Sequence, residues 1–191
     1  MGDINSVGVI GAGQMGSGIA HVCALGGREV RLHDQNTERL KAAMDEIDKN
    51  LSRQAAKGTI TEAEARAAFG RITPTANVAE AGQVDLVIEA ATENEEIKKA
   101  IFQALTPHLK PSTLLASNTS SISITRLAAA TDRPDRFIGL HFMNPAPVMK
   151  LVEIIRGIAT APATYENVKV FAENLGKITT DAEDYPAFIV N

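Results

Sequence analysis

Residues 7–20 read VGVIGAGQMGSGIA, and this stretch decides the fold. Val7 to Ile10 is a short apolar run ending in glycines, and Ser17 to Leu25 carries a helical mixture of small and apolar residues. The segment therefore reads as strand, tight turn and helix. Gly11, Gly13 and Gly16 form GxGxxG across that turn. The first glycine permits the turn, the second lets backbone approach a pyrophosphate, and the third lets the helix pack closely; the helix N-terminus offers unpaired N–H groups to the anion. Alone, such a triplet is weak. Here Asp34 stands 18 residues beyond Gly16, at the end of a second predicted strand, Glu29 to His33. A carboxylate there accepts hydrogen bonds from an adenosine ribose and repels a 2′-phosphate. The implied ligand is NAD rather than NADP, held by Gly11, Ala12, Gly13, Gln14, Met15, Gly16 and Asp34. The bland alternative is a glycine-rich turn beside a solvated aspartate. Arg28 and Arg31 precede the strand end and read as surface residues.

Outward from this unit, strands and helices alternate. Thr37 is positioned to cap a long amphipathic helix from Glu38 to about Lys57, stopped by Gly58. A polar helix, Glu62 to Phe69, follows Thr61; Arg71 to Thr75 is a brief strand, Val78 to Ala81 is helical, and Val84 to Ala90 is a strand. Ile97 to Leu105 is helical, Thr113 to Ala116 is a strand and Ile122 to Ala130 a helix. Phe137 to Phe142 and Val148 to Ile155 are strand candidates around a loop with Asn144, Pro145 and Pro147, and Pro162 opens a last helix to about Leu175. This order predicts an α/β, Rossmann-like, doubly wound and mostly parallel sheet. Tyr185 to Asn191 reads as the beginning of a new segment.

A chain of 191 residues, 45% hydrophobic, is long enough to bury one sizeable core. The net charge of −4 offers no basic field, which disfavours nucleic acid as a partner and requires any anionic ligand to be held locally. With one cysteine, Cys23, no disulfide or cysteine metal cluster forms within the chain, which fits a reducing compartment. No apolar run approaches membrane-spanning length, and the immediate passage into a strand is read as leaving no room for a signal or transit peptide. A cytoplasmic location is expected.

His141 closes an apolar strand in GLHFMNPAPVMKLVEII, and Glu153 lies 12 residues later on the next strand candidate. Oxidation of a hydroxyl needs a base to take the O–H proton while hydride leaves carbon, and a carboxylate can orient an imidazole that does so. On pattern alone, a satisfied histidine and a solvent-facing glutamate remain open.

The ordered set VIGAGQMGSGIA, VIEAATE, ASNTSS, GLHFMNPAPVMKLVEI and YPAFIVN, spanning Val9 to Asn191, resembles the 3-hydroxyacyl-CoA dehydrogenase family, of the 3-hydroxybutyryl-CoA type. The resemblance implies oxidation of a (3S)-3-hydroxyacyl-CoA to the 3-ketoacyl-CoA with NAD, or the reverse from acetoacetyl-CoA, in fatty-acid or butanoate metabolism. It makes His141 the general base, Glu153 its orienting carboxylate, Ser120 a hydrogen-bond donor to the reacting 3-oxygen, and Asn191 a substrate-holding group. Glu93 and Lys98 match positions that contact the cofactor, and Asn118, in the same loop as Ser120, is a further cofactor-binding candidate. For Ser120 a turn or cap role is equally open, as are a solvated helix charge for Lys98 and a first-turn acid for Glu93. Lys49, Arg53 and Lys57 fall at i, i+4 and i+8 on one helix face; an exposed stripe is the common explanation, and the resemblance makes Arg53 and Lys57 binders of coenzyme A. It further implies residues 1–184 as the NAD-binding domain and 185–191 as the start of an all-helical domain that is otherwise absent and through which the parent forms a homodimer. Ala187 stands where the family carries glycine. Dehydrogenases with a lysine catalyst share GxGxMG but not SNTSS, LHFMNP or KLVEI, and a non-catalytic NAD-binding or structural protein, as lens lambda-crystallin resembles this family, is the alternative from another class.

Overall fold

The computed structural model describes residues 3–185; Ala187, Asn191 and most of the expected new segment lie outside them. The described chain forms one eight-stranded sheet in the order β3-β2-β1-β4-β5-β6-β7-β8. β1 (Ser6–Ile10), β2 (Glu29–His33), β3 (Ile72–Thr75), β4 (Leu86–Glu89), β5 (Leu114–Ser117) and β6 (Phe137–Phe142) are all parallel. β7 (Leu151–Arg156) runs antiparallel to β6, and β8 (Ile178–Glu183) parallel to β7.

Side chains of successive strand residues enter opposite cores, as pleating requires. Val7, Val9, Leu86 and Ile88 pack in one core with α1 (Gln14–Leu25), α2 (Thr37–Ala56), α3 (Glu62–Gly70) and α7 (Pro162–Asn174). Ile10, Val87 and Leu115 pack in the other with α4 (Val78–Gly82), α5 (Glu95–Leu105) and α6 (Ile124–Ala128). β4 is buried throughout, its closing Glu89 included, which explains the apolar run Leu86–Ile88. The strand order reverses beside β1, so a crevice opens at the carboxyl ends of β1 and β4, where such sheets bind ligands. Cys23 is fully buried, and burial pushes its thiol up to about 12.

Several boundaries differ from the reading of the sequence. α1 begins at Gln14 rather than Ser17, so the last glycine of the motif lies in its first turn. Asn36, not Thr37, caps α2: its side chain accepts from the N–H groups of Glu38 and Arg39 from an extended backbone, while Thr37 is already helical. Gly58, at φ +71°, ends that region as expected. β7 starts at Leu151 because the N–H groups of Val148 and Met149 both turn back to the Pro145 carbonyl. β8 was not expected; its sequence ITTDAE is an edge strand whose one buried apolar side chain is Ala182, too weak an alternation to read.

Candidate active site

The glycine turn works through space as much as through torsion angles. Gly11 sits at φ +101°, a left-handed conformation that favours glycine. A Cβ on Gly16 would lie 1.7 Å from the Gly11 carbonyl oxygen, so α1 can approach β1 only without one. A Cβ on Gly13 would meet nothing within 4 Å. The turn is thus closed on the protein side at Gly16 and open on the ligand side at Gly13, the cradle a pyrophosphate needs. Two substitutions separate these roles. Gly16→Ala is expected to cost about 3 kcal/mol or more by overpacking, seen as a lowered denaturant midpoint. Gly13→Val is expected to leave that midpoint nearly unchanged and to weaken NADH binding at least tenfold in a fluorescence titration.

Asp34 follows β2 and is nearly buried. Its Oδ2 accepts the Ala12 N–H at 3.0 Å and its Oδ1 the Asn36 N–H at 3.0 Å, which fixes the carboxylate against the glycine turn. Remaining lone pairs on a carboxylate so placed suit ribose hydroxyls.

On the far side of the crevice, His141 is paired with Glu153 in the β6–β7 ladder. Directly opposed residues of antiparallel strands project from the same face, and here His141 Nδ1 lies 2.8 Å from Glu153 Oε2. Glu153 has no exposed surface and His141 is 7% exposed, so the carboxylate is an internal support and not a solvent-facing residue. The ring edge of His141 borders a cavity of about 490 Å³ shared with Gly13, Gln14, Met15, Asn118 and Ser120. The structure therefore gathers the glycine turn, the serine loop and the histidine around one space.

Ser120 lies in the loop after β5 that leads toward α6. Glu93 holds this loop. Its Oε1 faces the Thr119 hydroxyl at 2.7 Å, the Ser120 and Ser121 N–H groups at 2.8 and 3.1 Å, and both serine hydroxyls at 3.1 Å. Burial pushes the Glu93 carboxyl up, but donation from Thr119 and Ser120 and the nearby Lys98 charge outweigh it and hold the group below its ordinary value. The sign of the linkage follows: order contributed by ionised Glu93 is complete above the ordinary value of 4.5 and is lost as pH falls below it through the folded value. Amide exchange at Ser120 and Ser121, followed from pH 7 to pH 3.5, is expected to lose protection only below the ordinary value of 4.5. Loss already at pH 6 would contradict this.

Lys98 and Glu93 differ from their bland readings. Lys98 is 1% exposed, not a solvated helix charge. Its Nζ donates to both oxygens of Glu89 at 2.9 and 2.7 Å and stands 3.9 Å from Glu93 Oε2. Glu93 precedes the Asn94 cap of α5, so it is not a first-turn residue. Asn118 lines the cavity, yet its Oδ1 already accepts the Phe142 N–H at 2.8 Å. Arg53 and Lys57 border a second cavity, of about 660 Å³, with Asn50 and Gln54; it shares Gly13, Gln14 and Asn144 with the first. Asn191 lies outside the described residues. Glu89, Ser117 and Thr119 escaped the sequence reading; the signal for Glu89 was an acid closing the apolar run Leu86–Ile88.

A mostly parallel sheet with a glycine turn at its switch point and an acid fixed against that turn is a dinucleotide-binding domain of the Rossmann type. The sequence profile of the "3-hydroxyacyl-CoA dehydrogenase, NAD binding domain" matches residues 6–185. The chain is 57% identical over 188 residues to a 3-hydroxybutyryl-CoA dehydrogenase of Bradyrhizobium diazoefficiens, covering 98% of this chain and 64% of that protein. It is 47% identical over 189 residues to a probable 3-hydroxybutyryl-CoA dehydrogenase of Bacillus subtilis, covering 99% of this chain and 66% of that protein. The crystal structure of (S)-3-hydroxybutyryl-CoA dehydrogenase from Ralstonia eutropha superimposes with a TM-score of 0.96 at 42% identity, covering 99% of this chain and 67% of that one. The chain belongs to the 3-hydroxyacyl-CoA dehydrogenase family and carries its NAD-binding domain. It spans a little under two thirds of the Bradyrhizobium protein's length.

Proposed function

We propose that this domain holds NAD and the proton-transfer machinery for interconverting a short-chain (3S)-3-hydroxyacyl-CoA and its 3-ketoacyl-CoA. The observation that carries the reading is the His141–Glu153 contact of 2.8 Å at the wall of the cavity that also contains the glycine turn and Ser120. Bound NAD would supply the hydride chemistry at the substrate C3, in either direction. Gly11 to Gly16 take the pyrophosphate and Asp34 the ribose. Glu153 keeps the Nδ1 proton of His141 directed at itself, so that Nε2 takes the O–H proton in oxidation and returns it in reduction. Glu153 also compensates the charge the ring gains. The Ser120 hydroxyl donates to the 3-oxygen, stabilising charge that develops there. Arg53 and Lys57, on the wall of the adjoining cavity, meet the phosphates of coenzyme A. Asn191 assists in holding substrate, and the whole protein is a cytoplasmic homodimer joined through parts outside this chain. Among the described residues no helix is long and apolar enough to cross a membrane.

The test is a fluorescence titration with NADH, followed by addition of acetoacetyl-CoA while NADH loss is recorded, with His141→Ala alongside. His141-dependent oxidation supports the full reading. Binding without oxidation restricts this chain's part to holding the cofactor, and absence of NADH binding removes the role given to Gly11–Gly16 and Asp34.

A further inference from the structure

Two acids and one lysine behind the serine loop form a continuous charged chain. Glu89 is fully buried at the carboxyl end of β4. Its two oxygens receive four donors: Lys98 Nζ on each, the Ala91 N–H at 2.8 Å on Oε1, and the Ser117 hydroxyl at 2.8 Å on Oε2. Such a carboxylate is satisfied and cannot rotate without losing bonds in three directions. It therefore fixes where the Lys98 ammonium sits. That ammonium in turn faces Glu93 Oε2 at 3.9 Å, and Glu93 Oε1 faces the loop. One oxygen of Glu93 looks at the cation and the other at Thr119, Ser120 and Ser121.

The five donors around Glu93 Oε1 outnumber the lone pairs of one oxygen. The shortest contacts, to the Thr119 hydroxyl and the Ser120 N–H at 2.7 and 2.8 Å, suffice to hold the loop. The Ser120 hydroxyl, at 3.1 Å from the same oxygen, is not needed to hold the loop. We propose that Glu89, Lys98 and Glu93 act together as positioning residues: the buried Glu89–Lys98 pair anchors Glu93, and Glu93 holds the Ser120 backbone in place while leaving its hydroxyl able to reach substrate. Lys98 serves here as an internal counter-ion on the wall of the cavity that also holds the glycine turn. The proposal rests on the role given above to Ser120, but its structural part does not need that role.

The experiment uses the 191-residue chain in three forms: unaltered, Glu93→Ala, and the double variant Glu89→Gln/Lys98→Met, which removes both charges of the buried pair. Amide exchange is measured by NMR at pH 7 without ligand, and NADH affinity and acetoacetyl-CoA turnover are measured separately. Both variants are expected to lose protection at Ser120 and Ser121 at least tenfold while Val9 and Leu115, in β1 and β5, keep theirs. Turnover is expected to fall at least tenfold through kcat. If the double variant keeps the loop protected, the pair is only a core element and the proposal fails. If Glu93→Ala weakens NADH binding with the loop unmoved, Glu93 is a cofactor contact and the proposal fails equally. Lack of turnover in the unaltered chain would count against the reading of function alone, because the exchange measurement requires neither NADH nor substrate.

Discussion

Glu153→Gln is expected to lower the turnover of acetoacetyl-CoA with NADH by about three orders of magnitude, somewhat less than the roughly 10⁴-fold loss seen when the orienting acid of a catalytic-triad histidine is made an amide. At about 1.4 kcal/mol per decade this is roughly 4 kcal/mol of lost transition-state stabilisation. The substitution conserves shape, so the ladder pairing of His141 with residue 153 should persist. What changes is the partner at 2.8 Å from Nδ1. A carboxylate only accepts, which holds the proton on Nδ1 and leaves Nε2 basic. An amide can present its NH₂ instead, and Nδ1 then becomes the acceptor while Nε2 carries the proton. That tautomer cannot take a proton from a hydroxyl in oxidation, and in reduction it could give up its Nε2 proton only by leaving an imidazolate. The charged ring also loses its compensating carboxylate in a site where both side chains are buried. NADH affinity should stay within a few-fold, since neither residue belongs to the glycine turn. Steady-state kinetics with a thermal melt on the same sample would decide it: an intact melt with turnover within tenfold of the unaltered chain removes Glu153 from the mechanism. His141→Ala is expected to lose at least as much, but it also strands a fully buried carboxylate, so the glutamine variant is the cleaner comparison.

The parts of this site that were legible in the sequence are those fixed by short-range rules. GxGxxG and Asp34 are read from spacing because a strand, a turn and a helix of set geometry separate them, and the structure puts Asp34 in contact with the Ala12 N–H accordingly. His141 and Glu153 were visible as polar residues in apolar strands, but their opposition depended on the direction of β7. The eleven residues between them accommodate a hairpin-like return, and the antiparallel register supplies it. The helix N-caps were harder: Asn36 and Thr37 are both competent, and only the backbone angles distinguish them. Glu89 and Lys98 were the least legible. Lys98 follows a run of charged residues, and α5 is amphipathic enough that a lysine on it looks solvated; its burial is decided by the acid at the end of β4, nine residues earlier and in another element. β8 was missed for the same reason in reverse: ITTDAE pairs along an edge with little apolar face of its own, and its position is set by β7.

Lys98→Met is expected to be the most destabilising single substitution outside the glycine turn, at about 3 to 5 kcal/mol, because it leaves a buried carboxylate without its cation. Domains of this size hold only about 5–15 kcal/mol in all, so a fall in melting temperature on the order of 10 °C should follow. The partner substitution is not symmetrical. Glu89→Gln leaves the ammonium 3.9 Å from Glu93, a second carboxylate that can share the charge, and its amide oxygen can still accept from Lys98. A smaller loss, about half as large, is expected. In the double variant neither charge remains, and the Met and Gln side chains occupy nearly the volume of the originals. Desolvation of two ions is then avoided as well as their attraction lost, and these opposing terms nearly cancel for buried pairs. The double variant should therefore melt close to the unaltered chain, giving a coupling energy of several kcal/mol in a double-mutant cycle. Additive losses in the cycle would mean that the 2.7 Å contact between Lys98 and Glu89 does not exist in solution. Recovery of the melt without recovery of an ordered Ser120 loop would show that stability is restored by removing both charges, whereas holding Glu93 requires the ammonium itself.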